Sequence, residues 1–257
     1  MKLALQQLYN ISNKPTRTII GLMSGTSLDG LDVVLGKVSG DGIKTNFEIR
    51  EFETVPYDED FRNEIKSVFS KRHVDLEKLT LLNPWVALHH ASIINSLLKK
   101  WGIPNHEVDL IASHGQTIYH APKSLHQLEI FGNATLQIGD GDHLAVATGI
   151  ITISDFRQKN IAGGGEGAPL AVYGDYLLFA HETENRLLLN IGGIANFTFI
   201  PAGQNMEHNI CIDTGPGNTL MDAYIQKYFP GKYFDEDAAL AKSGNLNQNL
   251  LNALLDH

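Results

Sequence analysis

Cysteine is nearly absent from this sequence, since Cys211 is the single one among 257 residues. An internal disulfide is therefore excluded, and a reducing compartment is the expected environment. Long apolar runs are also missing, because no stretch approaches the roughly 18 consecutive apolar residues of a membrane span. The N-terminus is interrupted by polar Gln6, Gln7 and Asn10 and lacks the features of a signal peptide. We therefore expect a soluble, cytoplasmic protein with no membrane partner.

Basic clusters are a third absence. The formal net charge is −9, and no run of Lys and Arg has the length expected of a nucleic-acid patch. An acidic chain repels the phosphate backbone, so nucleic acid is excluded as a non-specific partner. The hydrophobic content of 43% is sufficient for one large core or two modest lobes.

The order of the periodic segments predicts a mixed α/β fold built as two similar lobes. The predicted strands cover 18–23, 31–38, 45–55, 108–113, 134–138, 150–154, 186–191, 196–200 and 209–212. The predicted helices cover 57–71, 76–82, 83–101, 142–148, 169–180 and 217–229, with a helical tail after 235. The pattern restarts after about residue 182, so we expect a first lobe over 1–182 and a second over 183–257.

Two glycine-rich loops are candidates for binding phosphate. In the first, SGTSLDG at 24–30, small residues expose backbone N–H groups and hydroxyls, and Asp29 could hold a divalent cation through water. The second, DTGPGN at 213–218, ends an apolar strand and opens a helix, whose N-terminus favours phosphate. Taken singly, each loop is weak evidence: composition alone favours an ordinary hairpin turn for the first, and a glycine-rich helix entry is the alternative for the second. Their matching positions in two repeats favour phosphate binding between two lobes.

Polar side chains follow two of the predicted buried strands. In SHGQTIYH at 113–120, His114, Gln116 and Thr117 are suited to hydrogen-bond a polyhydroxylated ligand, and a turn with partly buried histidines is the alternative. Metal binding by His114 and His120 lacks a third ligand at suitable spacing.

The second strand end carries Asp155, which is placed to act as a general base, and Arg157, which could lower its pKa or bind an anion. A surface ion pair between the two is the alternative. The glycines at 163–165 predict a mobile loop behind Asp155. His89 and His90 are expected on a helix surface, and Cys211 in a buried strand.

Six motifs in this order carry a resemblance to a known family: GLMSGTSLDGLDVVL, SHGQT, LQIGDGDHLAVATGI, DFRQKNIAGGGEGAPL, LNIGGIANFT and DTGPGNTLMD. The chain resembles anhydro-N-acetylmuramic acid kinases from about residue 19 to about residue 224. The resemblance implies a two-lobe, actin-like ATPase fold of the ribonuclease H-like class. It also implies a reaction in which ATP and water convert 1,6-anhydro-N-acetylmuramic acid to N-acetylmuramic acid 6-phosphate, during recycling of bacterial cell-wall sugar.

The same resemblance implies roles for individual residues. Asp155 matches the base that activates water. The residues matching the nucleotide loops are Gly25, Thr26, Ser27, Leu28, Asp29, Gly30, Leu31, Asp32, Asp213, Gly215, Gly217 and Asn218. The residues expected at the sugar are His114, Gln116, Thr117, Arg157, Gly165 and Gly167. ATP and Mg²⁺ are the implied cofactors, with Asp29 and Asp213 holding the metal through water.

The chain departs from the family at its end. Family members continue well beyond residue 257, so the resemblance implies an incomplete second lobe, and a fragment is favoured over a natural short form. Activity of the chain alone is left open, and a homodimer is a further expectation. Two other functions compete: a different sugar kinase of the same superfold, and a sugar or nucleotide sensor without catalysis.

Overall fold

The protein is described by a computed structural model covering residues 2–203 and 205–256. Residues 1, 204 and 257 lie outside the described part, including both outer ends of the predicted lobes. The chain forms two compact units. The first comprises the residues up to Arg186 together with Ile200–Asn209, and the second comprises Leu187–Phe199 and the residues from Ile210 onward.

The helices and strands alternate as expected for a mixed α/β protein. The helices are α1 Lys2–Ser12, α2 Glu59–Lys66, α3 Leu76–Trp101, α4 Lys123–His126, α5 Gly141–Thr148, α6 Phe156–Ala162, α7 Ala171–Phe179, α8 Thr219–Tyr228, α9 Ala239–Ser243 and α10 Gln248–Leu255. The strands are β1 Thr16–Ser24, β2 Gly30–Ser39, β3 Asn46–Pro56, β4 Leu110–Ala121, β5 Ala134–Ile138, β6 Thr152–Ser154, β7 Arg186–Ile191, β8 Ile194–Ile200 and β9 Ile210–Pro216. The sequence patterns did not predict α1, α4 or α6.

A mixed sheet forms the centre of the first unit, with strand order β3-β2-β1-β4-β5 and β6 beside β4. The predicted hairpin is confirmed: β1 and β2 pair antiparallel from Thr16↔Ser39 to Ser24↔Leu31. β4 runs parallel to β1, through pairs such as Ile20↔Ile111. The ends of β1, β4 and β6 therefore lie at the same edge of the sheet, where the candidate residues follow.

β4 is longer than predicted, because the strand continues through the polar motif that was expected to end it. Its first half pairs parallel with β6, at Ile111↔Thr152, and its second half pairs antiparallel with β5, at Gln116↔Ile138. Between the halves, Gly115 has a φ of +72°, and a Cβ there would lie 2.6 Å from the Ile138 carbonyl oxygen. Glycine is thus required where β4 changes partner.

α3 is one continuous helix, so the predicted boundary at Asn83 is wrong. The carboxylate of Asp75 caps its start by accepting from the backbone N–H groups of Glu77 and Lys78, and Gly102 ends it with a φ of +69°. Pro84 lies inside and removes one helical hydrogen bond. The helix continues because its buried face is uninterrupted across Pro84, with Leu82, Val86, Ala87, His90, Ala91, Ile94, Leu97 and Leu98.

The core of the first unit lies between the sheet and helices α2 and α3. Ile20, Leu31, Val33 and Ile111 are fully buried on the strands, and Ile94 on α3. His90 is also buried, at 1% exposure, so the expectation that it lies on the helix surface is wrong.

The second unit contains a three-stranded sheet in the order β7-β8-β9, followed by α8, α9 and α10. β8 and β9 pair antiparallel, at Phe197↔Ile212 and Ala195↔Gly215. Most apolar side chains of this unit are exposed. Exposure exceeds half at Leu187, Leu189, Ile191, Ile194, Ile210 and Ile212.

Candidate functional site

The loop joining β1 to β2 exposes polar side chains to solvent, while its one large apolar side chain is buried. Thr26, Ser27 and Asp29 are exposed, whereas Leu28 is buried at 2% exposure and adopts a φ of +57°. Among the described residues, the backbone N–H groups of Thr26 and Ser27 have no protein acceptor. Such N–H groups, with the neighbouring hydroxyls, form a suitable site for an anionic phosphate.

Asp29 lies at the end of this loop with one oxygen engaged. Its Oδ1 accepts from Ser27 Oγ at 2.6 Å and from the Gly30 N–H at 3.1 Å. Oδ2 has no partner among the described residues, so it fits a magnesium ion's preference for oxygen ligands, directly or through water. Asp32 lies three residues further along the chain, in β2, where its Oδ1 accepts from Thr54 Oγ1 at 2.5 Å. The side chain of Leu31 is buried in the core, so only its backbone is available to a ligand.

A buried hydrogen-bond chain supports the loop from below. Ser24 Oγ is 2.8 Å from Tyr57 Oη, which is 2.9 Å from His90 Nε2. Ser24 Oγ also donates to Gln116 Oε1 at 2.5 Å, and Gln116 Nε2 donates to the Gly25 carbonyl at 3.3 Å. Gln116 was expected at the sugar. In the structure its side chain is fully buried and its hydrogen bonds hold the loop at 24–30.

The ionisation of this chain is set by burial. Desolvation, with a smaller contribution from His89, lowers the pKa of His90 to about 3, so the ring is neutral. Desolvation likewise raises the pKa of Tyr57, which therefore keeps its hydroxyl proton. Sequence reasoning missed Tyr57 and His90, because their pairing joins positions far apart in the chain. The only sequence signal was the location of His90 on the apolar face of α3.

Asp155 follows β6 and precedes α6. It has a φ of +63°, a strained conformation for a residue other than glycine. Its side chain does not cap α6. Among the described residues its carboxylate has no hydrogen-bond or ion-pair partner. Partial desolvation raises the pKa of Asp155, which makes it a stronger base than an ordinary aspartate.

A small polar cavity of about 150 Å³ lies beside Asp155. Its lining includes Asn83, His114, Gln137, Asp140 and Asp155. The buried Oε1 of Gln137 has no hydrogen-bond partner among the described residues, so it can accept from a ligand or water in this cavity. The sequence reasoning did not single out Gln137 or Asp140.

Arg157 does not pair with Asp155. Its Nε donates to His114 Nε2 at 2.8 Å, and its Nη1 donates to the Gly167 carbonyl at 2.6 Å. His114 Nδ1 lies 2.9 Å from the Gly115 carbonyl, which fixes the tautomer with hydrogen on Nδ1 and leaves Nε2 as the acceptor. Burial, and then the charge of Arg157, lower the pKa of His114, in agreement with a neutral ring.

The glycine-rich segment behind Asp155 is held by hydrogen bonds. The backbone N–H groups of Gly163 and Gly165 donate to the Asn160 carbonyl at 3.1 and 2.9 Å. The Asn160 side chain accepts from the Gly167 N–H at 2.8 Å, and Asn133 donates to the Gly165 carbonyl. Opening of this segment would require these bonds to break.

A larger cavity of about 1020 Å³ borders the same segment. Its lining includes His114, Arg157, Lys159, Gly165 and Tyr173. The structure thus brings His114, Arg157 and Gly165 to one cavity, with Asp155 and His114 sharing the smaller one. Thr117 lies on β4, where its Oγ1 accepts from Gln137 Nε2 at 3.2 Å, and it lines neither cavity.

The DTGPGN motif belongs to the second unit. The residues up to Pro216 form the end of β9, so Asp213 and Gly215 lie in a strand and not in the predicted loop. The N–H groups of Gly217 and Asn218 donate to the carbonyls of Gly193 and Gly192 at 2.8 and 2.7 Å. These bonds fix the turn between β7 and β8 against the start of α8. Asp213 is exposed, and its carboxylate has no partner among the described residues, so it fits water-mediated metal binding.

Residues 2–203 and 205–256 contain neither a membrane-spanning helix nor a metal-binding cluster of side chains. No helix there is both long and apolar enough to cross a bilayer. No group of three or more His, Cys, Asp or Glu side chains in that part could hold a metal ion.

Comparison with known proteins gives consistent matches. Residues 17–257 match the family described as anhydro-N-acetylmuramic acid kinase. A protein of that name from Pseudoalteromonas atlantica is 57% identical over 98% of this chain and 63% of its own length. Similar proteins of the same name come from Pseudoalteromonas translucida, at 56% identity over 98% and 63%, and Caldanaerobacter subterraneus, at 42% over 98% and 64%. The chain therefore spans slightly less than two thirds of the length of these relatives.

Proposed function

Because the chain belongs to the anhydro-N-acetylmuramic acid kinase family, we propose that it contributes a nucleotide loop and the sugar site of such a kinase. The substrate is 1,6-anhydro-N-acetylmuramic acid, the phosphoryl donor is ATP, and the products are N-acetylmuramic acid 6-phosphate and ADP. The activity belongs to cell-wall recycling in the cytoplasm. The observation that carries this proposal is Asp155, a carboxylate with a raised pKa and no protein partner among the described residues, beside a polar cavity.

The chemistry needs a base, because the substrate has no free 6-hydroxyl. Asp155 takes a proton from water, and the water oxygen forms a bond to C1 of the sugar as the C1–O6 bond breaks. O6 then bonds to the γ-phosphorus, whose bond to the bridging oxygen of ADP breaks. Glycoside hydrolysis and phosphoryl transfer are thus joined at one oxygen. The raised pKa of Asp155 favours proton transfer from water.

Separate residue sets serve the two substrates. The exposed N–H groups and hydroxyls of Thr26 and Ser27 bind phosphate oxygens. Asp29 in the first unit and Asp213 in the second would each offer carboxylate oxygens to Mg²⁺ through water. Mg²⁺ neutralises charge on the phosphates when it is bound. His114, Arg157, Gly165 and Gly167 contact the sugar. Gln116 and Thr117 lie on β4 behind them and position neighbouring residues through hydrogen bonds to Gly25 and Gln137.

We place these residues in two lobes of an actin-like, ribonuclease H-like fold, over 1–182 and 183–257. The mixed sheet of the first unit, with three antiparallel strands followed by β4 and β6 parallel to β1, supports this assignment. The second lobe contributes the DTGPGN motif. A homodimer of the whole protein is part of the same proposal.

Substitution of Asp155 by Asn tests the base. In the full-length parent protein, we expect Asp155→Asn to keep the affinity for the anhydro sugar, measured by isothermal titration, and to lose turnover by about 10²-fold or more. Asp60→Asn, an exposed change on α2, is the matched control. Near-normal turnover by Asp155→Asn would disprove the assignment of the base, and no sugar binding by the unaltered chain would disprove the function.

Turnover in ¹⁸O-labelled water distinguishes this reaction from other sugar kinases. The proposed reaction places ¹⁸O on C1 of the sugar and none in the new phosphate ester. A kinase acting on an existing 6-hydroxyl incorporates no solvent oxygen during transfer. Sugar binding without any ATP consumption would instead indicate a sensor.

A further inference from the structure

Tyr57 holds the loop at 24–30 at both of its ends. Its backbone N–H donates to the Asp29 carbonyl at 3.1 Å, and its hydroxyl lies 2.8 Å from Ser24 Oγ. The ring is buried at 2% exposure and stacks on Phe61, with the ring centroids 4.0 Å apart. Packing therefore fixes the ring, and the fixed ring gives the two ends of the loop one rigid support.

The protons of the buried hydrogen-bond chain point in one direction. Ser24 Oγ carries one proton, which it donates to Gln116 Oε1 at 2.5 Å. Its 2.8 Å contact with Tyr57 Oη must therefore be a bond that the tyrosine donates. Tyr57 Oη then accepts from His90 Nε2 at 2.9 Å, so the neutral ring of His90 carries its proton on Nε2. The order of the whole chain thus depends on the single hydroxyl of Tyr57.

The chain ends at one peptide group of the loop. Gln116 Nε2 donates to the carbonyls of Gly25 and Thr117, each at 3.3 Å, and the Gly25 carbonyl also accepts from the Leu28 N–H at 3.4 Å. In a trans peptide group the carbonyl and the N–H point in opposite directions. Because the Gly25 carbonyl is turned toward the buried amide, the N–H of Thr26 points away from it. Thr26 is exposed, and its N–H has no acceptor within the part of the chain that the structure describes.

We propose that Tyr57 and Gln116 are positioning residues for the phosphates of the nucleotide, acting through the Gly25–Thr26 peptide group. Both side chains are buried, so they orient the Thr26 N–H toward a phosphate oxygen without reaching the nucleotide themselves. A donor that is already oriented binds more tightly, because less ordering is needed on binding. This inference rests on the proposed function, since it names the residues that prepare the same loop for phosphate.

Tyr57→Phe removes the hydroxyl and keeps the ring. The His90 N–H then loses its acceptor and Ser24 loses its donor, so the Gln116 amide is no longer held in one orientation. In the full-length parent protein, we expect KM for ATP to rise about 10-fold, the effect of one buried donor left unpaired. KM for the anhydro sugar should stay unchanged, which also shows that the variant is folded. Tyr9→Phe, an exposed change on α1, is the matched control and should alter neither KM.

The outcomes separate this inference from the proposed function. An unchanged KM for ATP in Tyr57→Phe, or equal increases in both KM values, would refute the positioning role and leave the proposed function standing. No turnover of the anhydro sugar by the unaltered parent would disprove the proposed function, and this inference with it.

Two substitutions of His90 test the direction of the chain independently. Glutamine still offers an N–H group to Tyr57 Oη, whereas methionine has a similar length but no donor. We therefore expect KM for ATP to be about 5-fold higher or more in His90→Met than in His90→Gln, with equal KM values for the anhydro sugar. Equal KM values for ATP in the two variants would refute the proton donated by His90 and the chain that depends on it.

Discussion

Replacement of His90 by glutamine should make the first unit less sensitive to acid. The ring of His90 is buried on α3, where it is hydrogen-bonded to Tyr57 and lies 6.3 Å from the ring of Phe61. Burial, with a smaller effect of His89, lowers the pKa of His90 to about 3 in the folded protein. An unfolded chain protonates histidine near pH 6.5, so acid favours unfolding through this residue.

The sign and size follow from the two pKa values. The folded pKa lies below the unfolded one, so the stability due to neutral His90 is complete above pH 6.5 and falls as the pH drops toward 3. Taking 6.5 and about 3, the loss at pH 5 relative to pH 8 is about 2 kcal/mol, since one pKa unit corresponds to about 1.4 kcal/mol. Glutamine has no charge to gain, so this part of the pH dependence should disappear in His90→Gln.

Urea unfolding monitored by tryptophan fluorescence measures the effect. Trp85 and Trp101, the two tryptophans of the protein, both lie on α3 with His90, so the signal reports the first unit. The free energy of unfolding is compared at pH 8 and pH 5 for the unaltered chain and for His90→Gln. His73→Gln, an exposed change, is the matched control and should retain the normal difference.

The stability lost between pH 8 and pH 5 by His90→Gln is subtracted from that lost by the unaltered chain. The contribution of the carboxylates, which titrate in both proteins, cancels, and the contribution of His90 remains. Glutamine alters packing too, but that cost is the same at both pH values and cancels. If the two proteins lost equal stability between pH 8 and pH 5, within about 0.5 kcal/mol, the buried neutral histidine would be refuted.

Two glycine substitutions test close backbone approaches. In Gly30→Ala, the new Cβ would lie 2.6 Å from the Val55 carbonyl oxygen, so unfolding by urea should become easier by about 1–3 kcal/mol, whereas Gly132→Ala, with open space around it, should change little. In Gly217→Ala, the Cβ would collide with the Gly192 carbonyl oxygen, so amide hydrogen exchange over 213–222 should accelerate. Gly192→Ala makes only an ordinary contact, and unchanged exchange in Gly217→Ala would contradict the collision.

Local pattern was sufficient to predict much of the first sheet. The hairpin of β1 and β2 and the following β3 were predicted because strand periodicity and small turn residues lie close together in the chain. β4 was predicted too short, since HGQT is polar, and its continuation depends on pairing with β5. That pairing is non-local, and only the change of partner at Gly115 reveals it.

Helix prediction failed where tertiary contacts override local signals. Asn83 and Pro84 have the composition of a helix start, yet the buried face of α3 runs through them. α6 is short and ends in glycines, so its sequence indicated a loop. Asp155 was correctly located at a strand end, but its raised pKa and unpaired carboxylate depend on the fold around it. The burial of His90 likewise required the position of Tyr57.

Because α3 is continuous, one helix contacts both the polar cavity beside Asp155 and the network that supports the loop at 24–30. Asn83 accepts from the Gly139 N–H at 2.8 Å and lines the polar cavity beside Asp155. His90, seven residues later, supports the loop at 24–30 through Tyr57 and Ser24. Seven residues are two helical turns, about 10 Å apart on one face. A rotation of α3 would thus shift the cavity wall and the loop together. The rigid helix therefore fixes the distance between the polar cavity and the loop at 24–30.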